Sequence, residues 1–144
     1  MDPKQLLTTM IPFITTVGIR IDDVGLGKAV ATLPSRSEVQ NHLGTAHAGA
    51  TYTLGETAAG AAALSVFGDL LPELFMALKA AKVQHSKALR GDVVATAQIE
   101  GDPRQIRADY DAAGKADFDV NVQTTVGGVP TGTNVYTWAV RAPR

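Results

Sequence analysis

The sequence predicts an α+β domain in which a curved antiparallel sheet wraps a long central helix. Three observations carry that prediction. First, residues 41–67, NHLGTAHAGATYTLGETAAGAAALSVF, contain about twenty consecutive positions that are almost all small or apolar, with no Pro. Ala is the best helix former, and a helix apolar on nearly every side is one buried all round. Second, several flanking segments alternate apolar and polar residues with period two, as half-buried strands do. Third, those segments are joined by short Gly-containing turns, which favour antiparallel pairing.

The elements follow in order. Asp2-Pro3 pairs an N-cap with a first-turn Pro, and Leu6, Leu7, Met10, Phe13 and Ile14 recur at helical spacing, so residues 3–16 read as an amphipathic helix. Ile19 and Ile21 alternate with polar neighbours, Gly25 and Gly27 turn the chain, and Ala29, Val30 and Leu33 return it as a hairpin. The central helix is expected over residues 47–67. Gly68, Asp69 and Pro72 break it, and residues 75–89 are read as strand. Arg90-Gly91-Asp92 is a turn before a strand carrying Val93, Ala95, Ala97 and Ile99. Asp102-Pro103 opens a helical insert over residues 103–113, with Gly114 as its stop. Ala116, Phe118, Val120 and Val122 alternate with polar residues, Gly127-Gly128 turns, and residues 131–141 form the last strand. A chain of 144 residues suits one domain over the whole length, 1–144.

Composition excludes several classes. Net charge is −1, so no basic field points to nucleic acid. There is no Cys, which removes disulfides, thiol catalysis and thiolate-bound metal and fits a cytoplasmic location. The N-terminus has no basic region followed by an apolar one, so no signal peptide is expected. Glu56 and the many Ala and Gly residues make the central run a buried helix rather than a membrane span. The three His residues have no metal-ligand spacing, so no metal and no cofactor are expected.

One ionisable residue interrupts the central run, Glu56. A carboxylate among Ala and Leu is costly, which makes it a candidate for chemistry. Around it stand Asn41, Gly44-Thr45, His47-Ala48-Gly49-Ala50 and Leu54-Gly55-Glu56. This arrangement resembles the hotdog-fold, PaaI-like acyl-CoA thioesterases, whose pattern is Asn, a short loop, His-Gly-Gly-Ala, and an acidic residue nine positions after that His. The segment HSKALRGD, residues 85–92, resembles the family's turn before its next strand. Two features depart from the pattern: Ala48 stands where the family has Gly, and the insert after residue 102 is additional. Both point to a divergent branch.

The resemblance implies hydrolysis of a medium-chain or aromatic acyl thioester, with coenzyme A as part of the substrate. The Ala48 N–H would polarise the carbonyl, Glu56 would activate water or attack directly, and Asn41 and His47 would complete the catalytic set. Burial would raise the pKa of Glu56. Gly49, Thr53 and Gly60 would line the substrate pocket, and Lys79, Lys82, Lys87 and Arg90 are candidates for the coenzyme A phosphates. Ala48 and Glu56 lie eight residues apart on one helix. That spacing is roughly 12 Å along the axis, more than one carbonyl can span. A site using both needs Glu56 from another chain's helix, so a homodimer, or a homotetramer built from it, is expected, with no nucleic-acid or membrane partner.

Other readings stand beside these. Glu56 could pair with a Lys or a backbone group. His47 could cap the helix, Asn41 could hold its loop as an Asx-turn, and Tyr136 and Trp138 could serve sheet packing. The competing function is a non-catalytic acyl-thioester binding module on the same fold. A hotdog dehydratase fits less well, because no His stands in the expected Pro-Gly surroundings.

Overall fold

A computed structural model describes residues 2–144. Asp2 accepts the Lys4 N–H (3.0 Å) and caps α1, Pro3–Met10. The helix expected over residues 3–16 is in fact two. Pro12 has no N–H and disfavours helical backbone in the residue before it, so Ile11 is extended (φ −120°, ψ 90°) and the chain restarts as α2, Pro12–Val17.

Strands β1, Arg20–Gly25, and β2, Lys28–Leu33, form the hairpin. A 3-10 turn at Ser37–Val39 leads to α3, Ala48–Phe67. Strand β3 is Phe75–His85; the strand expected to reach residue 89 stops there, and residues 86–92 are loop. Then come β4, Val93–Ile99; α4, Pro103–Ala113; β5, Lys115–Val126; and β6, Val129–Arg141. The six strands form one antiparallel sheet in the order β1-β2-β4-β5-β6-β3.

The inner face of that sheet is built from small side chains where it meets α3. Ala29 and Ala31 on β2, and Ala95 and Ala97 on β4, are buried beside Ala58, Ala59, Ala61 and Ala62 of the helix. Without bulk on either surface, helix and sheet approach closely. Tyr136 on β6 comes nearer still. It is wholly buried, its hydroxyl donates to the Tyr52 carbonyl (2.9 Å), and Gly55 supplies the space, since a Cβ there would stand 2.8 Å from the ring. Helix α4 is tied to the end of α3 by Arg107, which donates to the Val66 carbonyl (2.9 Å) and pairs with Asp69 (2.7 Å).

The helix is not enclosed by the sheet on all sides. The sheet covers one side, and α1 and α2 cover part of another through Leu7, Ile14 and Val17. The first turn of α3 stays open: Ala48 and Gly49 are exposed.

Candidate active site

Three of the predicted site residues, Thr53, Glu56 and Gly60, meet on the open side of α3. Thr53, Glu56, Thr57, Gly60 and Leu64 form one stripe of the helix and line a cleft of about 430 Å³. Its other walls are Leu7 and Met10 of α1, Ile11, Phe13 and Ile14 at and after the helix break, Leu71, Pro72 and Leu74 beyond α3, Met76–Leu78 of β3, and Trp138 of β6.

Glu56 is the only ionisable residue in that lining. It is half-buried, and none of the ion pairs among the described residues includes it. Burial pushes its pKa above the ordinary carboxylate range. Its charge reaches the aromatic pair beneath it. The Tyr52 and Tyr136 rings meet edge-to-face at 5.6 Å, and both hydroxyls have raised pKa values, chiefly through burial, with Glu56 adding to the shift.

The predicted residues around the entry to α3 are held more locally. His47 is the N-cap: its Nδ1 accepts the Gly49 N–H (2.8 Å). Ala48, the first helical residue, has no intrahelical acceptor for its own N–H. The Asn41 side chain is engaged within its loop, accepting from the Leu43 N–H (2.9 Å) and the Thr45 N–H (3.2 Å) and donating to the Thr45 hydroxyl (2.8 Å). That is the Asx-turn arrangement, and it leaves the amide facing its own loop. A second hollow of about 300 Å³ adjoins this region; His47, Gly49, Arg36 and Gln40 line it, and it shares Phe13 and Thr53 with the main cleft.

The cationic candidates do not gather at Glu56. A bulge between Leu78 and Ala80 reverses the alternation of β3, so Val83 turns inward while Lys82 and Gln84 stand on the outer face with Thr96, Gln98 and Asn121. Lys79 pairs with Asp117 (2.7 Å). Lys87 is exposed in the loop after β3, and Arg90 in the same loop reaches the Leu43 carbonyl (3.5 Å), close to the entry of α3.

Sequence reasoning missed most of the cleft wall. The side chains of residues 3–16 were read only as the apolar face of an amphipathic helix, and Trp138 as sheet packing. Gly60 and Trp138 are neighbours in that lining, since a Cβ on Gly60 would lie 3.4 Å from the Trp138 ring, and no sequence pattern links the two positions.

A six-stranded antiparallel sheet cradling one long helix, with a carboxylate-bearing cleft on the helix's open side, defines a hotdog-fold protein. The chain belongs to the family described as a domain of unknown function, DUF4442, which matches residues 3–140. Solved structures agree on the fold. A protein of unknown function from Pseudomonas aeruginosa, described as a probable thioesterase, superposes with a TM-score of 0.83 at 23% identity, over 97% of this chain and 93% of that one. A Shewanella oneidensis protein named as a candidate thioesterase gives 0.80 at 16%, over 98% and 95%. A thioesterase family protein from Silicibacter pomeroyi gives 0.74 at 19%, over 98% and 97%. No curated protein matches. No helix among the described residues is long and apolar enough to cross a membrane.

Proposed function

We propose that the protein is an acyl-CoA thioesterase that works as a dimer, with Glu56 as the general base. The observation that carries this reading is the lone carboxylate in an apolar cleft, its pKa raised by burial and no cation paired with it. A base of that kind holds a proton long enough to pass it on, because its pKa is moved toward the working pH. The thioesterase names of the structural neighbours point the same way.

In the reaction, Glu56 takes a proton from water as the oxygen adds to the thioester carbonyl. The negative charge that develops on the carbonyl oxygen is received by the Ala48 N–H, at the positive end of a 20-residue helix. Gly49 is less available for this, since its N–H already bonds His47. Collapse of the tetrahedral intermediate breaks the C–S bond; Glu56 returns the proton to the departing thiolate, leaving a carboxylic acid and a free thiol.

Ala48 and Glu56 of one helix are too far apart for one carbonyl, at roughly 12 Å along the axis. A partner helix would resolve this. Strand β3 supports such an assembly: it is 11 residues long, lies at the sheet edge with one side unpaired, and contributes Met76–Leu78 to the cleft wall. Pairing of two copies along β3 would bring a second α3 toward the cleft.

The test is thiol release from a panel of acyl-CoA esters. The native protein is expected to turn over at least one, and Glu56→Gln is expected to lose on the order of 100-fold or more in kcat. Saturable binding without turnover by the native protein, or full activity in Glu56→Gln, overturns the reading. An active species that stays monomeric in light scattering overturns the dimer.

A further inference from the structure

The cleft's dimensions and polarity carry the reading of Glu56 further. We infer that the acyl group is an unbranched, unsubstituted aliphatic chain of about ten carbons, lying along the stripe from Glu56 to Leu64. This rests on the thioesterase reading for where the carbonyl sits, and it selects between the medium-chain and aromatic substrates that the sequence left open.

Length is the first argument. Glu56 and Leu64 both line the cleft, eight residues apart on one helix. At about 1.5 Å per residue the distance is about 12 Å. An extended chain advances about 1.2 Å per bond, the value implied by about 3.6 Å for the three backbone bonds of a residue. Starting with its carbonyl at Glu56, the tail therefore runs for about ten bonds before it passes Leu64 and meets the far wall, where Leu71 and Pro72 follow the end of α3. Volume leads to the same choice. A cavity of about 150 Å³ is enough to hold benzene. The 430 Å³ here is nearly three times that, so a single aromatic ring would leave most of it unfilled.

Polarity is the second argument. The lining contains two threonines, and neither has a hydroxyl proton free to donate to a ligand. Thr53 donates to the Gly49 carbonyl (2.9 Å) and Thr57 to the Thr53 carbonyl (2.7 Å), so both are engaged along their own helix. Trp138 is 6% exposed; its indole N–H has no partner and is buried away from the cleft surface. Beyond Glu56, then, no side chain of the walls presents a free hydrogen-bond donor. A keto group on the tail would lose its water with no side-chain donor to replace it, which lowers affinity. Met10 and Met76 on opposite walls are flexible and fit a chain of rotatable bonds.

The experiment uses the full chain and saturated acyl-CoA esters from C4 to C16, with phenylacetyl-CoA and a 7-keto C10 ester. Both hydrolysis by the native protein and calorimetric binding to Glu56→Gln are measured. The expected result is a gain on the order of tenfold in kcat/KM and in affinity for each two carbons up to about C10, then a plateau or fall beyond C12. Phenylacetyl and 7-keto esters are expected to rank below the plain C10 ester. Gly60→Leu would block the stripe four residues from Glu56, lowering the C10-to-C4 ratio at least tenfold. Leu71→Trp, at a half-buried position after α3, would do the same from the far end and covers the case in which Gly60→Leu fails to fold. A preference for the aromatic or keto ester, indifference to chain length, or unchanged ratios in both variants overturns the inference. Length-dependent binding with no turnover at all keeps the inference and overturns the hydrolytic reading instead.

Discussion

Replacing Gly55 with Ala tests how closely α3 meets the sheet. A Cβ at Gly55 would stand 2.8 Å from two Tyr136 ring carbons and nearer still to the hydroxyl, so the ring must move. Tyr136 is wholly buried, with no free space to move into. Overpacking of this kind costs about 1–3 kcal/mol. Displacing the ring also breaks the Tyr136–Tyr52 hydrogen bond, a loss of about 1 kcal/mol. Against this, Ala in a helix interior gains about 1 kcal/mol over Gly. The net is a destabilisation of about 1–3 kcal/mol. For 144 residues at about 2.1 cal/mol/K each, the unfolding entropy is about 0.3 kcal/mol/K, which gives a Tm lower by about 3–10 °C. Gly60, five residues along the same helix, is the control. Its Cβ would lie 3.4 Å from Trp138, an ordinary contact, so Gly60→Ala keeps the propensity gain and raises Tm by up to about 3 °C. The assay is calorimetric melting at one fixed protein concentration, with Tyr136→Phe added to Gly55→Ala as a double-mutant cycle. The hydroxyl is the nearest obstacle, so the double variant should lose less than the sum of its parts. Equal shifts at Gly55 and Gly60, or strict additivity with Tyr136→Phe, would refute the reasoning.

Glu56→Gln should make the fold more stable at neutral pH. Because burial raises the folded-state pKa, the folded chain keeps a proton that the unfolded chain has released between the two pKa values, and native stability falls as pH rises through that window. The gain in Gln over Glu should therefore be largest at neutral pH and vanish below the ordinary carboxylate range in a pH series of urea melts; a gain independent of pH contradicts it. Arg107→Ala removes the bond to the Val66 carbonyl and the pairs with Asp69 and Asp111. The two carboxylates are 63% and 58% exposed and add little, so the loss is about 1 kcal/mol, read as a Tm drop of about 3 °C; a drop beyond 10 °C would mean the pairs matter far more than exposed pairs do.

Most of the fold was legible because its signals are local. Alternation at Val93–Ile99, the Asp102-Pro103 start and Gly114 stop of α4, and the all-apolar run of α3 each declare themselves within one window of sequence. The break at Ile11 was also written locally, in Pro12, but the apolar spacing that continues through Phe13 and Ile14 masked it. What could not be read was whatever depends on elements meeting. The bulge that turns Lys82 outward needs the register of β3 against β6. The cleft needs α1, α2, β3 and Trp138 at one place, and no window of sequence contains them together. Glu56 was visible because a carboxylate contrasts with its neighbours, and Thr53 and Gly60 because they share its helical face; the walls from other elements were invisible because apolar wall and apolar core have the same composition.

The helix resolves this ambiguity by dividing its surface. Positions 55, 58, 59 and 62 carry Gly or Ala and lie buried, and the first of them receives Tyr136 from the sheet. Positions 53, 56, 57, 60 and 64 carry the cleft, and the helix's one carboxylate is among them. An apolar run with no polar face is what both uses require, since a cleft for an apolar ligand and a core look alike along the chain. Glu56 marks which surface is which. A carboxylate at 55, 58 or 59 would meet the sheet and could not be hydrated; at 56 it sits half-buried at the edge of a space large enough to hold a ligand. Within this run, the position of the acid thus distinguishes the face that binds the sheet from the face that is left for chemistry.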